Sequence, residues 1–84
     1  MKTLIEARME TGLSRVRFAK LIGMGGNQLR LYETGRIRPE VRNARRLATA
    51  LGVRLEEVAE FQHIVGREKN EREVRERVSA TEKP

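Results

Sequence analysis

The sequence contains no cysteine, so neither a disulfide nor a thiolate metal site can stabilise it, and the chain fits a reducing compartment. It also has no apolar run near the roughly 20 residues that a membrane-spanning helix needs. Residues 1–6 turn acidic too early for a secretory signal peptide. We therefore expect a soluble, cytoplasmic protein. A length of 84 residues allows one domain with a small core.

Residue types that carry catalysis or bind metals are also scarce. Aspartate is absent and His63 is the sole histidine, so a metal site would need several glutamates alone. No general base accompanies Ser14 in a pattern typical of nucleophilic catalysis. The glycine-rich residues 23–26 lack the Lys-Ser/Thr of a P-loop and follow a helix. We expect no enzymatic activity, no cofactor and no metal.

Positive charge is abundant and unevenly distributed. The whole chain carries a net charge of +6. Residues 15–46 contain nine basic and two acidic side chains, a net charge of +7, which leaves −1 for the remaining residues. A positive field concentrated on one stretch is typical of proteins that bind polyanions. The alternative is a basic domain whose surface charge has no specific partner.

Glycines divide the first part of the chain into three short helices. Residues 3–6 match a capping box, and the helix that follows ends at Gly12. Ser14 is a good N-cap for a second helix, which ends at Gly23. A third helix covers residues 26–34 and is followed by a glycine and a basic loop. The expected apolar positions are Leu4, Ala7 and Met9 in the first helix, and Phe18, Ala19, Leu21 and Ile22 in the second.

Two further helices are predicted after the loop. The fourth runs from about Glu40 to Leu51, after Pro39 and before Gly52, and the fifth covers about residues 55–62. Their expected buried positions are Val41, Ala44, Leu47, Ala48, Leu51, Leu55, Val58, Ala59 and Phe61. No stretch alternates polar and apolar residues as a half-buried strand does. The predicted fold class is all-α, a compact bundle of five short helices over residues 1–65.

The composition changes in residues 66–84, which we treat as a charged C-terminal extension. Nine of the eleven residues from 67 to 77 are charged, and several glutamates precede an arginine by four positions. Such pairs favour a solvated helix, but the two valines are too few to dock it firmly. One interpretation is a frayed charged tail. The other is a segment that folds when a protein partner or second subunit binds.

Residues 13–35 form the unit of greatest functional interest. Two helices of about two turns, joined by a tight glycine-containing turn, have the geometry that presents the second helix to the DNA major groove. At 3.6 residues per turn, Leu29 and Tyr32 face inward on the same side as Glu33. The outer face carries donors and acceptors that suit base edges, and Leu31 suits a thymine methyl group. The alternative is a polar face that is merely solvated. The predicted base contacts are Asn27, Gln28, Arg30 and Leu31.

The same region resembles a known family. Residues 13–24, LSRVRFAKLIGM, are similar to the second helix and turn of the phage-repressor-like (Cro/C1, Xre) helix-turn-helix proteins. The similarity continues through residues 29–35, LRLYETG, through Arg38-Pro39, and through residues 47–53, LATALGV. It covers about residues 4–60 and implies a lambda-repressor-like fold that binds double-stranded DNA.

The resemblance also implies roles for particular positions. Residues 26–28, 30 and 31 lie where family members contact DNA, and Arg15 lies where the family usually has a glutamine that grips phosphate. Arginine guanidinium groups suit phosphates independently of any family. The predicted phosphate contacts are Arg15, Gly26, Arg36, Arg38 and Arg42.

Two glycines depart from the family's pattern. Gly25 replaces the usual Ser or Thr cap, at a cost of only a few tenths of a kcal/mol. Gly26 stands where the family often places a base-reading side chain, and we expect it to let backbone amides approach a phosphate instead. Base readout would then depend more on Asn27, Gln28 and Arg30.

These observations predict a sequence-specific DNA-binding transcriptional regulator, with repression as the expected mode, located in the cytoplasm at the nucleoid. A module this small makes few phosphate contacts, so we expect a homodimer on paired half-sites. Phe61, Ile64 and Val65 suggest a dimer surface within residues 55–65, or else they close the core. The competing hypothesis is a protein-interaction module, such as an antitoxin or coactivator with the same fold, whose partner binds residues 66–84.

Overall fold

The first two helices each begin at a hydroxyl side chain that caps the first turn. The Thr3 hydroxyl accepts a hydrogen bond from the Glu6 amide at 3.1 Å, and the Ser14 hydroxyl accepts one from the Arg17 amide at 3.2 Å. Such caps satisfy amides that have no partner inside the helix. Both predicted N-caps are confirmed.

The computed structural model describes residues 1–66. Its elements in chain order are α1 (Leu4–Glu10), α2 (Arg15–Leu21), α3 (Gly26–Glu33), α4 (Val41–Leu51) and two 3₁₀ segments (Leu55–Glu57 and Ala59–Phe61). Residues 62–66 are again helical. The described part of the chain contains no β-strand, so the all-α class is confirmed. Apart from Gly66, the predicted charged extension lies outside the described residues.

One hydrophobic core joins these elements. Leu4, Phe18, Leu29, Leu47 and Phe61 are among its largest side chains, and each is at most 1 % exposed. Large apolar side chains of this kind each contribute about 1.5–3 kcal/mol when buried. The full set of buried apolar residues is Leu4, Ala7, Phe18, Ala19, Met24, Leu29, Tyr32, Ala44, Leu47, Ala48, Val58, Phe61 and Ile64.

Three positions expected on apolar faces are exposed instead. Met9 is 65 % exposed and Leu21 is 69 % exposed, and Ala59 is also exposed. On a helical projection Met9 lies opposite the buried stripe of α1, and Leu21 lies about 100° from the centre of the stripe of α2. Side chains at these angles from the buried stripe face solvent, so the predictions for Met9 and Leu21 were wrong. The prediction for Ala59, which begins the second 3₁₀ segment, was also wrong.

The prediction of one fifth helix over residues 55–62 was also wrong, because two 3₁₀ segments lie there instead. Val58 is extended, with φ −117° and ψ 127°, and separates the two 3₁₀ segments. The backbone on either side of it pairs with Lys2: the Lys2 amide donates to the Glu57 carbonyl at 3.1 Å, and the Ala59 amide donates to the Lys2 carbonyl at 2.9 Å. These bonds to the N-terminal segment replace the helical bonds that the local pattern predicts.

The side chain of Lys2 forms a second contact with the rest of the domain. Its ammonium group donates to a carboxylate oxygen of Glu10 at 2.8 Å. This hydrogen bond raises the pKa of Lys2 above its usual value of 10.5.

Phe61 and Ile64 belong to the core rather than to an exposed surface. They are 0 % and 2 % exposed within a single chain. Of the three residues that suggested a dimer surface, only Val65 is partly accessible. The interpretation that they close the core is therefore the correct one for Phe61 and Ile64.

Residues 1–66 contain neither a membrane-spanning helix nor a group of metal-ligating side chains. No helix there is both long and apolar enough to cross a membrane. Nor do these residues bring together three or more of the His, Cys, Asp or Glu side chains that could hold a metal ion.

Candidate nucleic-acid interface

The turn between α2 and α3 is set by Gly23 and Met24. Gly23 has a left-handed φ of 68°. Its amide donates to the Lys20 carbonyl at 3.2 Å, and the Met24 amide donates to the Ala19 carbonyl at 2.8 Å. This pair of bonds is a Schellman motif, which ends a helix and satisfies its last carbonyls. Since Met24 is buried beneath the turn, the direction in which α3 leaves α2 is determined.

A side chain from α4 supports the same turn. The Arg46 guanidinium donates to the carbonyl of Ile22, the last residue before Gly23. A β-carbon added at Gly23 would lie 3.7 Å from that guanidinium group, at ordinary van der Waals distance. Arg46 therefore serves the fold, although its charge lies in the basic stretch.

The faces of α3 agree with the helical projection. Leu29 is 0 % and Tyr32 is 3 % exposed, which confirms that both face inward. On the outer side Asn27 and Arg30 are exposed, whereas Leu31 is half-buried. Of the side chains predicted to contact bases, Asn27 and Arg30 thus lie away from the core, whereas Gln28, like Leu31, is half-buried.

An ion pair attaches the C-terminal end of α3 to α1. Arg8 Nε donates to Glu33 at 2.6 Å, and Arg8 NH1 donates to the Leu13 carbonyl at 2.9 Å. The Arg8 side chain is 14 % exposed and that of Glu33 is 1 % exposed. No role for Arg8 was predicted from the sequence. The signal was available, since Glu33 projects onto the same side as Leu29 and a buried carboxylate needs a cationic partner.

Two of the predicted base contacts are paired with each other. Arg30 NH2 donates to Asn27 Oδ1 at 2.8 Å, and Arg30 Nε donates to the same oxygen at 3.3 Å. This leaves the NH1 side of the guanidinium group directed away from Asn27. Asn27 thereby restrains the orientation of Arg30 on the helix surface.

Gln28 is anchored instead to the inner side of α3. Its Nε2 donates to the Tyr32 hydroxyl at 2.8 Å, and Asn43 Nδ2 from α4 donates to the same hydroxyl at 2.9 Å. No role for Asn43 or for the Tyr32 hydroxyl was predicted from the sequence. Asn43 lies on α4, eleven residues from Tyr32, so no local pattern connects them.

The loop between α3 and α4 carries two of the predicted phosphate contacts, Arg36 and Arg38, both exposed. Gly35, with φ 74°, ends α3, and the Arg36 amide donates back to the Leu31 carbonyl at 3.0 Å. At the other end of the loop Pro39 is fully buried. The arginines therefore occupy a short loop that is secured at both ends.

His63 helps to hold the loop at Pro39. His63 Nε2 lies 2.9 Å from the Pro39 carbonyl oxygen, a hydrogen bond between residues 24 positions apart. From the sequence, His63 was considered only as a metal ligand. Its observed contact is structural.

The remaining predicted phosphate contacts lie at helix starts. Arg15 is the first residue of α2 and is half-buried, whereas Arg42 is the second residue of α4 and is exposed. Gly26 is the first residue of α3, follows an N-cap glycine that provides no side-chain bond, and is exposed. A β-carbon at Gly26 would meet no atom within 4 Å, so the fold itself does not require glycine there.

The arrangement of α2, its turn and α3 agrees with a family comparison. A family model described as a helix-turn-helix domain matches residues 3–61, which include α1 to α4 and both 3₁₀ segments. The chain belongs to this family. Comparison with curated proteins and with solved structures finds no match. Within this helix-turn-helix domain, α3 is the second helix of the motif. The four base contacts and five phosphate contacts expected from the sequence stay predictions.

Proposed function

We propose that this helix-turn-helix protein is a sequence-specific transcriptional regulator of the Cro/C1 type, which inserts α3 into the major groove of DNA. Asn27, Gln28, Arg30 and Leu31 contact bases in this proposal. The phosphate contacts in this proposal are Gly26 at the start of α3, Arg15 before α3 in the sequence, and Arg36, Arg38 and Arg42 after it. The protein acts without catalysis or a cofactor, in the cytoplasm at the nucleoid.

The observation that carries the proposal is the division of α3 into two faces. Leu29, Tyr32 and Glu33 are buried, so the helix has one fixed rotation about its axis. The opposite face presents Asn27 and Arg30 to solvent, beside a loop with two exposed arginines. Base contacts require that rotation to be fixed, and phosphate contacts set the position of the helix on the duplex.

The proposed mode of action is repression by a homodimer. One module offers few phosphate contacts, whereas two modules on one duplex double them. A symmetric pair would occupy half-sites about 34–36 Å apart, which is about one helical turn of DNA. Occupying such a site would exclude other proteins from it.

The experiment that tests the proposal is selection of bound duplexes from a random pool, followed by affinity measurements at several salt concentrations. A regulator should enrich a palindromic site with the half-site spacing given above. Its affinity for that site should exceed its affinity for random duplexes by at least about a thousandfold. Enrichment of no sequence, together with affinity for random duplexes weaker than millimolar at low salt, would contradict DNA regulation.

A second candidate is a protein-interaction module. The observation that favours it is on α1, where Ile5 and Met9 lie one turn apart and are 37 % and 65 % exposed. Apolar side chains at such spacing suit contact with another protein. This candidate predicts that DNA affinity stays weak and independent of sequence in the same selection.

A further inference from the structure

The Tyr32 hydroxyl accepts hydrogen bonds from amide groups on two different helices. Gln28 Nε2 lies 2.8 Å from it, one turn earlier on α3, and Asn43 Nδ2 lies 2.9 Å from it on α4. Tyr32 is only 3 % exposed, so the ring is held by the core. The hydroxyl is therefore a fixed anchor for the more accessible Gln28 side chain.

The Asn43 amide has a defined orientation. Arg46 NH1 donates to Asn43 Oδ1 at 3.4 Å, and Arg46 also donates to the Ile22 carbonyl in the turn. Asn43 Nδ2 in addition lies 3.5 Å from Glu40 Oε1. These partners direct the oxygen of the amide toward Arg46 and its nitrogen toward Tyr32. One acceptor site of the Tyr32 hydroxyl is thereby occupied.

This anchoring has a chemical consequence for Gln28. A free glutamine amide can rotate to offer either its oxygen or its nitrogen to a base. When the nitrogen is held by Tyr32, the carbonyl oxygen Oε1 is the end directed away from the anchor. An acceptor in the major groove suits the exocyclic amino groups of adenine and cytosine, and it repels the carbonyl oxygens of guanine and thymine.

We propose that Tyr32 and Asn43 are positioning residues that make Gln28 a selective acceptor, so that it recognises a base with an amino group in the major groove. This inference rests on the proposed DNA binding. It adds a specificity determinant that does not itself touch DNA: a buried tyrosine hydroxyl fixed by α4.

The experiment starts from the site selected by the wild-type protein. Each base pair is exchanged in turn between amino-bearing and keto-bearing bases on the contacted strand, and affinity is measured for wild type, Gln28→Ala, Tyr32→Phe and the double variant. We expect one base pair at which the wild type prefers the amino base by about tenfold, and at which Gln28→Ala abolishes that preference. Tyr32→Phe should reduce it to about twofold or less, and the double variant should lose no more than Gln28→Ala alone.

Asn27→Ala is the matched control, because Asn27 is a neighbouring amide on α3 whose hydrogen-bond partner is Arg30. Because Asn27 is itself a proposed base contact, Asn27→Ala should lower affinity for the selected site, but it should leave the preference assigned to Gln28 intact. Asn43→Ala should act in the same direction as Tyr32→Phe. Side-chain NMR relaxation of the Gln28 amide provides a second measurement without DNA, and the order parameter should fall in Tyr32→Phe.

Three results would overturn the inference while leaving the proposed function in place. In the first, Tyr32→Phe keeps the full preference that Gln28→Ala loses. In the second, Tyr32→Phe weakens binding to every duplex equally, which is the behaviour of a structural residue. In the third, Gln28→Ala changes no base preference. If the wild type selects no site, the proposed function and this inference both fail.

Discussion

The Nε atom of Arg8 lies 2.6 Å from a carboxylate oxygen of Glu33, and this ion pair joins α1 to the end of α3. The Glu33 side chain is 1 % exposed. A charge at that depth is tolerated because its partner is present and well placed. The pair fixes the end of α3 opposite the turn that Gly23 and Met24 define.

Removing one partner of this pair should destabilise the domain. Glu33→Gln leaves the Arg8 guanidinium without its counter-charge, and we expect a loss of about 3 kcal/mol in the free energy of unfolding. Urea denaturation followed by circular dichroism measures it. The double variant Arg8→Met, Glu33→Leu should recover most of the loss, since apolar groups need no counter-charge.

The control for this prediction is Glu10→Gln. Glu10 pairs with Lys2, but its own side chain is 62 % exposed, so water replaces the lost contact. We expect little change in the urea midpoint. If Glu10→Gln and Glu33→Gln lowered the free energy of unfolding equally, burial of the pair between Arg8 and Glu33 would not explain its contribution to stability.

Gly26→Ala should separate stability from DNA binding. Nothing lies within 4 Å of the added methyl group, and Gly26 has no left-handed φ. Reduced freedom of the unfolded chain should therefore raise stability by about 0.4–1 kcal/mol. If the amides at the start of α3 approach a phosphate, the methyl group should lower affinity for all duplexes, by about tenfold.

Gly52→Ala is the control for Gly26→Ala, because it should lower stability and leave DNA affinity unchanged. Gly52 has a φ of 69°, which costs an alanine about 1–2 kcal/mol. Gly52 ends α4 and is not among the predicted contacts, so duplex affinity of the folded fraction should not change. Gly26→Ala with undiminished affinity would remove Gly26 from the set of phosphate contacts.

The exposed arginines of the loop and of α4 should determine how DNA affinity depends on salt. Each of Arg36→Ala, Arg38→Ala and Arg42→Ala should reduce the slope of log affinity against log salt by about one, because each arginine displaces about one counterion. Arg54→Ala removes an exposed arginine outside the predicted contacts and should leave the slope unchanged. A common slope for all four variants would mean that these arginines act only through overall charge.

Arg30 should contribute to specificity rather than to general affinity. The hydrogen bond to Asn27 Oδ1 restrains the guanidinium group of Arg30. A guanidinium group can donate to both major-groove acceptors of guanine, N7 and O6. Arg30→Ala should lower discrimination at one base pair by about 1–3 kcal/mol. Arg30→Lys should fail to restore it fully, because an ammonium group lacks the planar fork of donors that a guanidinium group presents. Measuring affinity for single-base variants of the selected site tests this, and full rescue by lysine would contradict it.

Most of the helical framework could be predicted from the sequence because its signals are local. Thr3 and Ser14 cap helices that begin at the next residue, and Gly23, Gly35 and Gly52 all have positive φ at helix ends. Caps and left-handed glycines act within one turn of the chain. The inward direction of Leu29 and Tyr32 follows from helical periodicity in the same way.

The prediction failed where a distant segment competes with local preference. The pattern from Leu55 onward favours one helix, but the backbone beside Val58 bonds to Lys2, more than fifty residues earlier. Leu21 was assigned to a buried face by spacing alone, yet α2 packs along a stripe that excludes it. The first outcome depends on a segment far away along the chain, whereas the second follows from the angle of Leu21 around the axis of α2.

The sequence by itself therefore determined which residues of α3 face outward and where positive charge is concentrated. Tertiary structure alone decided how the inner side of α3 is held, because its supports come from other helices. Arg8 reaches Glu33 across 25 residues, and Asn43 reaches the Tyr32 hydroxyl across eleven. Such contacts exist only once helix packing has set the distance between two side chains, which no periodicity along the chain encodes.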